Sequence, residues 1–120
     1  MSKPMQEPTF LILTALADEA RHGYGIITEV EQISGGRVRL RAGTLYAALD
    51  RLQGDGLIAT DREEVVEGRL RRYYTLTAHG AERLATEVER IRARADAAAR
   101  RLRTRPGFAS PRLTLREDLP

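Results

Sequence analysis

Gly43-Thr44-Leu45-Tyr46-Ala47-Ala48-Leu49-Asp50-Arg51-Leu52 is the stretch on which the fold turns. Leu45, Ala48, Leu49 and Leu52 stand at i, i+3, i+4 and i+7, one apolar face of a helix that Gly43 opens and that Gly54 and Gly56 end. Directly afterwards the period changes. Ile58 to Val65 and Arg69 to Leu76 are two strand-length runs, and Val66, Glu67 and Gly68 between them read as a hairpin turn. A short helix feeding straight into a hairpin constrains what lies upstream, because neither element buries a core alone.

Upstream, the run from Thr9 to Ala20 is strongly apolar, with Phe10, Leu13 and Ala17 beside Leu16 and Ala20 giving a helical stripe and Thr9 as its cap. Gly23 and Gly25 break it. Ile26, Ile27, Val30 and Ile33 form a second amphipathic stretch that Ser34, Gly35 and Gly36 end. Arg37 to Arg41 alternates arginine with apolar residues, as a short strand or an extended linker would. Three short helices and a hairpin within about 70 residues is the layout of a winged helix-turn-helix: mainly α with a small β-hairpin, an α+β fold.

Downstream, Thr77 is a cap for a long helix without internal proline, running to about Thr104. Ala81, Leu84, Val88, Ile91, Ala95, Ala98 and Leu102 recur in it at steps of 3 and 4, a heptad seam spanning about 40 Å. A globule of some 80 residues has no surface for so long a seam, so the helix is expected to pack on another subunit. The expected organisation is a tail over 1–8, a winged helix-turn-helix over 9–76, a C-terminal dimerisation helix over 77–104, and an irregular or disordered tail over 105–120 carrying Pro106, Pro111 and Pro120. Phe108, Leu113 and Leu115 are the tail residues able to dock on a dimer.

The 120 residues, 42% apolar and 31% charged, fit one soluble domain. No apolar run approaches the roughly 20 residues that cross a bilayer, no signal-peptide pattern opens the chain, and a cytoplasmic location without membrane contact is expected. There is no cysteine, which removes disulfides, thiolate nucleophiles and cysteine-based zinc sites. His22 and His79 form no metal-binding pair; His22, between helices, suits a capping or structural role. With no nucleophile elbow, Walker loop or dinucleotide fingerprint either, the reading is of no enzyme, no catalytic residue, no metal and no cofactor.

The net charge of +3 says less than its placement. Residues 1–80 hold 10 cations and 11 anions, whereas residues 81–120 hold 10 and 6, so the excess lies in the last third. Within the first part, Arg37, Arg39, Arg41 and Arg51 face the single acid Asp50, and Arg69, Arg71 and Arg72 on the second strand meet none within that strand; Asp61, Glu63, Glu64 and Glu67 are confined to the first strand and the turn. A winged helix brings its third helix and hairpin to one DNA face, where these sets would form one footprint. Thr44 and Tyr46 supply hydroxyl donors at the helix start, Arg51 a charged fork, and Ala47 room for close approach to a groove. On spacing alone, a helix whose polar side is merely wet reads equally well. With Leu70, Tyr74 and Leu76 facing the core, Arg71 would be the phosphate contact and Arg72 an internal partner.

His22-Gly23-Tyr24-Gly25-Ile26, Gly43-Thr44-Leu45-Tyr46 with Leu49, Leu52 and Gly56-Leu57-Ile58, and Arg71-Arg72-Tyr73-Tyr74-Thr75-Leu76-Thr77 with Gly80 resemble the PadR family of bacterial transcriptional regulators, in that family's order and spacing over roughly residues 9–84. The resemblance implies a homodimeric winged helix-turn-helix repressor with third helix and wing on a pseudo-palindromic double-stranded operator. It also implies a dimer built by the C-terminal helix, often against the partner's N-terminal helix. The dimer residues are then Phe10, Leu13, Leu84, Val88, Ile91, Ala95, Ala98 and Leu102; the DNA residues are Tyr24, Arg39, Arg41, Thr44, Tyr46, Arg51, Arg69, Arg71 and Arg72. The single long helix matches the branch with a short C-terminal region. Where the family often has Ser-Pro before Gly-Thr and Pro after Leu-Tyr, this chain has Arg41-Ala42 and Ala47, so contacts at those family positions do not carry over. The resemblance further suggests release by a small-molecule effector; with no Trp and small aliphatics along the seam, a wide aromatic-lined pocket is not expected. The rival from another class is a winged-helix protein-interaction module that does not read DNA, and seven arginines on two adjacent edges speak against it.

Overall fold

The computed structural model describes residues 3–109 and 112. It divides into two compact units, residues 1–85 and 86–120.

In the first unit the elements run α1 (Glu7–Ala15), β1 (Arg21–His22), α2 (Gly23–Ile33), α3 (Ala42–Gly54), β2 (Ile58–Val66), β3 (Arg69–Leu76) and the start of α4 (Ala78–Thr104). The expected winged-helix layout is present, with a strand added. The sheet has three antiparallel strands in the order β1-β3-β2, and β1 is only Arg21 and His22, opposite Tyr74 and Tyr73.

α1 begins three residues earlier than expected. Gln6 holds the cap position and Pro8 falls in the first turn, where its fixed φ and missing N–H carry no penalty. Thr9 is therefore not a cap. It is buried inside the helix, and its hydroxyl accepts a hydrogen bond from Arg51 Nη2 at 3.2 Å. α1 also stops at Ala15, not Ala20. Arg21 Nε donates to the Ala15 carbonyl at 2.7 Å, and the same guanidinium pairs with Asp18, Glu19 and Glu29 at 3.2–3.4 Å. One arginine thus ties the end of α1, the turn and α2 together. Gly23 and Gly25 do not break a helix; they are the first turn of α2.

Between α2 and α3, Ser34 Oγ accepts the Val38 N–H at 3.0 Å, while Gly35 and Gly36 take positive φ. The segment 37–41 is linker rather than strand, with Val38 and Leu40 half-buried against the core and Arg37, Arg39 and Arg41 outside. α3 buries Leu45, Leu49 and Leu52 completely. Each such leucine contributes about 2 kcal/mol through removal of its apolar surface from water. They meet Leu11, Ile12 and Leu13 of α1, Ile26 and Val30 of α2, Ile58 and Tyr74 of the sheet, and Leu84 of α4 in one cluster.

The hairpin loop is two residues rather than three, because β2 continues to Val66. Glu67 and Gly68 have φ of 53° and 77°, the pair of left-handed residues that matches the twist of the flanking strands. A bulge at Asp61 shifts the register, after which Arg62 faces Tyr73, Glu63 faces Arg72, Glu64 faces Arg71 and Val65 faces Leu70. Leu70 is not core-facing; it is 63% exposed, as its partner Val65 is 71% exposed, because the apolar alternation continues past the point where the core ends.

Thr77 caps α4: its Oγ1 accepts the Gly80 N–H at 2.9 Å and donates to the Gly56 carbonyl at 2.6 Å. Gly80 sits so close to the Leu57 carbonyl that no side chain fits there.

In the second unit α4 continues to Thr104, with Arg90 paired to Glu87 at 3.0 Å. Arg105 to Ala109 form neither helix nor strand, and Phe108 is half-buried. Leu113 and Leu115 lie outside the described residues. No helix among the described residues is long and apolar enough to cross a membrane.

Of the expected dimer residues, Leu13 and Leu84 are 0% and 8% exposed and pack within the chain's own core. Phe10 and Val88 are half-buried, and Ile91, Ala95, Ala98 and Leu102 are exposed.

Candidate nucleic-acid interface

Because Leu45, Leu49 and Leu52 fix the inner face of α3, Thr44, Tyr46, Ala47, Asp50 and Arg51 are forced outward, and all five are exposed. At about 100° per residue, Tyr46 stands roughly 90° to one side of the outward direction and Thr44 and Arg51 roughly 60° to the other. α3 therefore has two differently furnished flanks.

On the Tyr46 flank lies a cleft of about 260 Å³ between the start of α2 and the wing strand β3. Its lining includes Tyr24, Tyr46, Arg69, Arg71 and Arg72, five of the nine expected DNA residues, together with His22 and Leu70. Tyr24 is 73% and Tyr46 48% exposed. A Cβ at Gly23 would meet the Tyr46 hydroxyl, so glycine there lets α2 and α3 approach and sets Tyr46 at the cleft wall.

The cleft's charges are not equivalent. Arg72 Nε donates to Glu63 Oε2 at 3.0 Å, with both side chains about half exposed, so this arginine is engaged within the wing as expected. Arg71 is half-buried opposite Glu64, and Arg69 is exposed opposite Val66, with no acid across from it. The acids that the sequence confines to β2 thus stand directly across from two of the three β3 arginines. Over 58–76 four cations meet four anions.

Behind the cleft, the His22 and Tyr73 rings meet in an edge-type contact at a centroid distance of 5.3 Å, and the Arg62 guanidinium lies 4.0 Å from the Tyr73 centroid. His22 stands at the start of α2 but makes no side-chain capping bond. Burial, followed by the charge of Arg71, lowers its pKa below the ordinary 6.5, while Glu64 opposes the shift. The shift favours its neutral form. Neither it nor Gly23 was singled out as part of the site, although both stand in the His-Gly-Tyr-Gly stretch.

On the other flank an open trough of about 540 Å³ brings Thr44, Ala47 and Arg51 together beside the cap residue Gln6 and Pro8 of α1. Arg39 and Arg41 line neither hollow. Arg39 is exposed and pairs with Glu31 at 3.2 Å, and Arg41 is exposed just before α3.

With this geometry in place, the comparisons are specific. A model of the PadR-like family of transcriptional regulators matches residues 12–86. Over 69 residues the chain is 39% identical to a transcriptional regulator of Mycobacterium tuberculosis, an alignment covering 58% of this chain and 61% of that protein. It is 44% identical over 78 residues to an uncharacterized 37.1 kDa transposon protein of Streptomyces fradiae, covering 65% of this chain but 21% of that one. The chain thus spans less than two thirds of either relative. Among solved structures, a PadR family transcription regulator from Clostridium difficile is similar with a TM-score of 0.66 at 26% identity, over 81% of this chain and 99% of that one. Bacillus subtilis PadR, crystallised with operator DNA, shares the fold with a TM-score of 0.63 at 24% identity, over 72% of this chain and 48% of its own.

Proposed function

The chain belongs to the PadR-like family of transcriptional regulators rather than to a family of enzymes, and from that membership we propose that it is a cytoplasmic, homodimeric repressor that reads a pseudo-palindromic operator and is released by a small-molecule effector. The observation that carries the DNA reading is the convergence of Tyr24, Tyr46, Arg69 and Arg71 on one cleft beside the exposed face of α3. In this reading Thr44 and Ala47 meet base edges, Tyr24 and Tyr46 donate from their hydroxyls, and Arg69 and Arg71 hold phosphate. Arg72, paired with Glu63, and Arg51, bonded to Thr9, act with only part of their donors. Arg39 and Arg41 add charge beside the start of α3.

The dimer reading is supported by Ile91, Ala95, Ala98 and Leu102, which remain exposed at heptad spacing along α4. Two copies related by a dyad would place two α3 helices about one turn of DNA, roughly 34 Å, apart. The direct test is a gel shift with DNA from upstream of the protein's own gene. A discrete complex that survives excess unrelated DNA supports the proposal, and equal competition by unrelated DNA contradicts it.

A further inference from the structure

A helix seated in the major groove runs between two sugar–phosphate backbones, one along each flank. The wing-side cleft serves the Tyr46 flank of α3 only. The Thr44 and Arg51 flank has its own basic recess. A cleft of about 230 Å³, floored by Met5, Leu52 and Leu57, carries Lys3, Arg51 and Arg83 against one acid, Asp55. It shares Gln6, Thr9 and Arg51 with the trough along Thr44 and Ala47, so these cations are continuous with the outward face of α3.

The three charges come from three separate elements: the arm before α1, the body of α3 and the first turns of α4. Arg51 is held at the rim by the bond from its Nη2 to Thr9 Oγ1, which leaves the rest of its five donors for an anion. We propose that Lys3, Arg51 and Arg83 form a second phosphate seat, taking the DNA backbone on the side of α3 away from the wing. The inference rests on the DNA-binding reading. It explains why a wing carrying equal numbers of cations and anions need not supply the electrostatics of docking alone, and it assigns Lys3 and Arg83 a part that no sequence motif marks.

The test uses the full chain and an operator fragment across about 50 to 200 mM salt. Each phosphate contact contributes about 0.9 to the slope of log K against log salt. The Lys3→Ala/Arg83→Gln pair should therefore lower the slope by about 1.8 for each protomer engaged, making the affinity loss across this range roughly 12-fold smaller per protomer than for the unchanged protein. Ethylation interference should disappear from one backbone only, the one that Arg71→Ala leaves intact. Lys3→Ala alone should give about half the slope change; Lys3 is exposed and precedes α1, so this variant tests the seat even if the Arg83 change perturbs folding. An unchanged slope in both variants, with the unchanged protein still binding DNA, overturns the seat and leaves the DNA reading standing. Sub-millimolar binding of inorganic phosphate at the cleft with no slope change makes it a small-anion site and overturns the proposal too. No DNA binding by the unchanged protein removes both.

Discussion

Replacing Glu63 by Gln should make the protein bind DNA more tightly while making it slightly less stable. Glu63 faces Arg72 across the wing and accepts its Nε–H at 3.0 Å, and both side chains are about half exposed. Such a solvated pair contributes only about 0.2–1 kcal/mol to folding, so its loss should shift an unfolding midpoint by a small amount. The effect on binding is larger. The wing's charge moves from zero to +1, and Arg72 is released beside the cleft that Arg69 and Arg71 already line. One further phosphate contact adds about 0.9 to the salt slope, worth roughly eightfold in affinity, or about 1.2 kcal/mol, at 0.1 M salt for each wing engaged. Fluorescence anisotropy on a labelled operator over a salt series reads both quantities. Arg72→Ala in the Glu63→Gln background is the control and should abolish the gain. Affinity of Glu63→Gln at or below that of the unchanged protein would refute the reasoning, as would a gain that survives the loss of Arg72.

Three further outcomes follow from the packing and charges. Gly80→Ala would drive its Cβ into the Leu57 carbonyl and to 2.7 Å from Leu76 Cδ1; since backbone cannot swing aside, a loss of about 1–3 kcal/mol is expected from urea midpoints at constant m-value. His22 has its pKa lowered in the folded state, so its neutral form contributes stability above pH 6.5 that is lost as pH falls from 6.5 through the lowered value; melting temperatures should decline over that acid range and decline less in His22→Gln. Leu84→Glu buries a carboxylate without a partner in the core and should cost the fold, whereas Ile91→Glu, at a site 43% exposed, should keep the circular dichroism of the fold and yield monomers by sedimentation. A folded monomer from Leu84→Glu with an intact dimer from Ile91→Glu would reverse the assignment of those two positions.

The parts of the fold that carry many periods of one pattern were legible in the sequence. α3 shows its buried face through three leucines and α4 its seam through seven residues, and both appear within a residue or two of the expected bounds. The strands of the hairpin were legible because the period changes from helical to alternating at Ile58. Short or context-dependent features were not. β1 is two residues held only by its pairing to β3, too few to show an alternation. The end of α1 is set by Arg21 reaching back to Ala15, a contact between residues whose sequence patterns do not suggest it. The facing of Leu70 was misread since alternation says which side a residue takes but not how far the core extends along the strand. Leu84 belongs to the α4 seam and is also buried in the chain's own core, because periodicity marks an apolar face without saying whether the chain's own core or a partner covers it. At the candidate site, the residue types on α3 and β3 were visible. Their sorting was not, because the Glu63–Arg72 pairing depends on a bulge and a two-residue loop, and the Lys3–Arg51–Arg83 grouping joins elements 80 positions apart.

In the proposed complex the exposed face of α3 reads sequence while the arginines around it hold the backbone. The measurement that tests it most directly is the ratio of affinities for a selected palindromic site and for a scrambled duplex of the same length and composition, at 0.15 M salt. A ratio of about 1,000 or more is predicted, falling sharply for substitutions at Thr44 or Ala47 and staying nearly constant for Arg71→Ala, which should weaken both duplexes alike. A ratio near one, or a ratio that Thr44 and Ala47 leave untouched, would contradict the account.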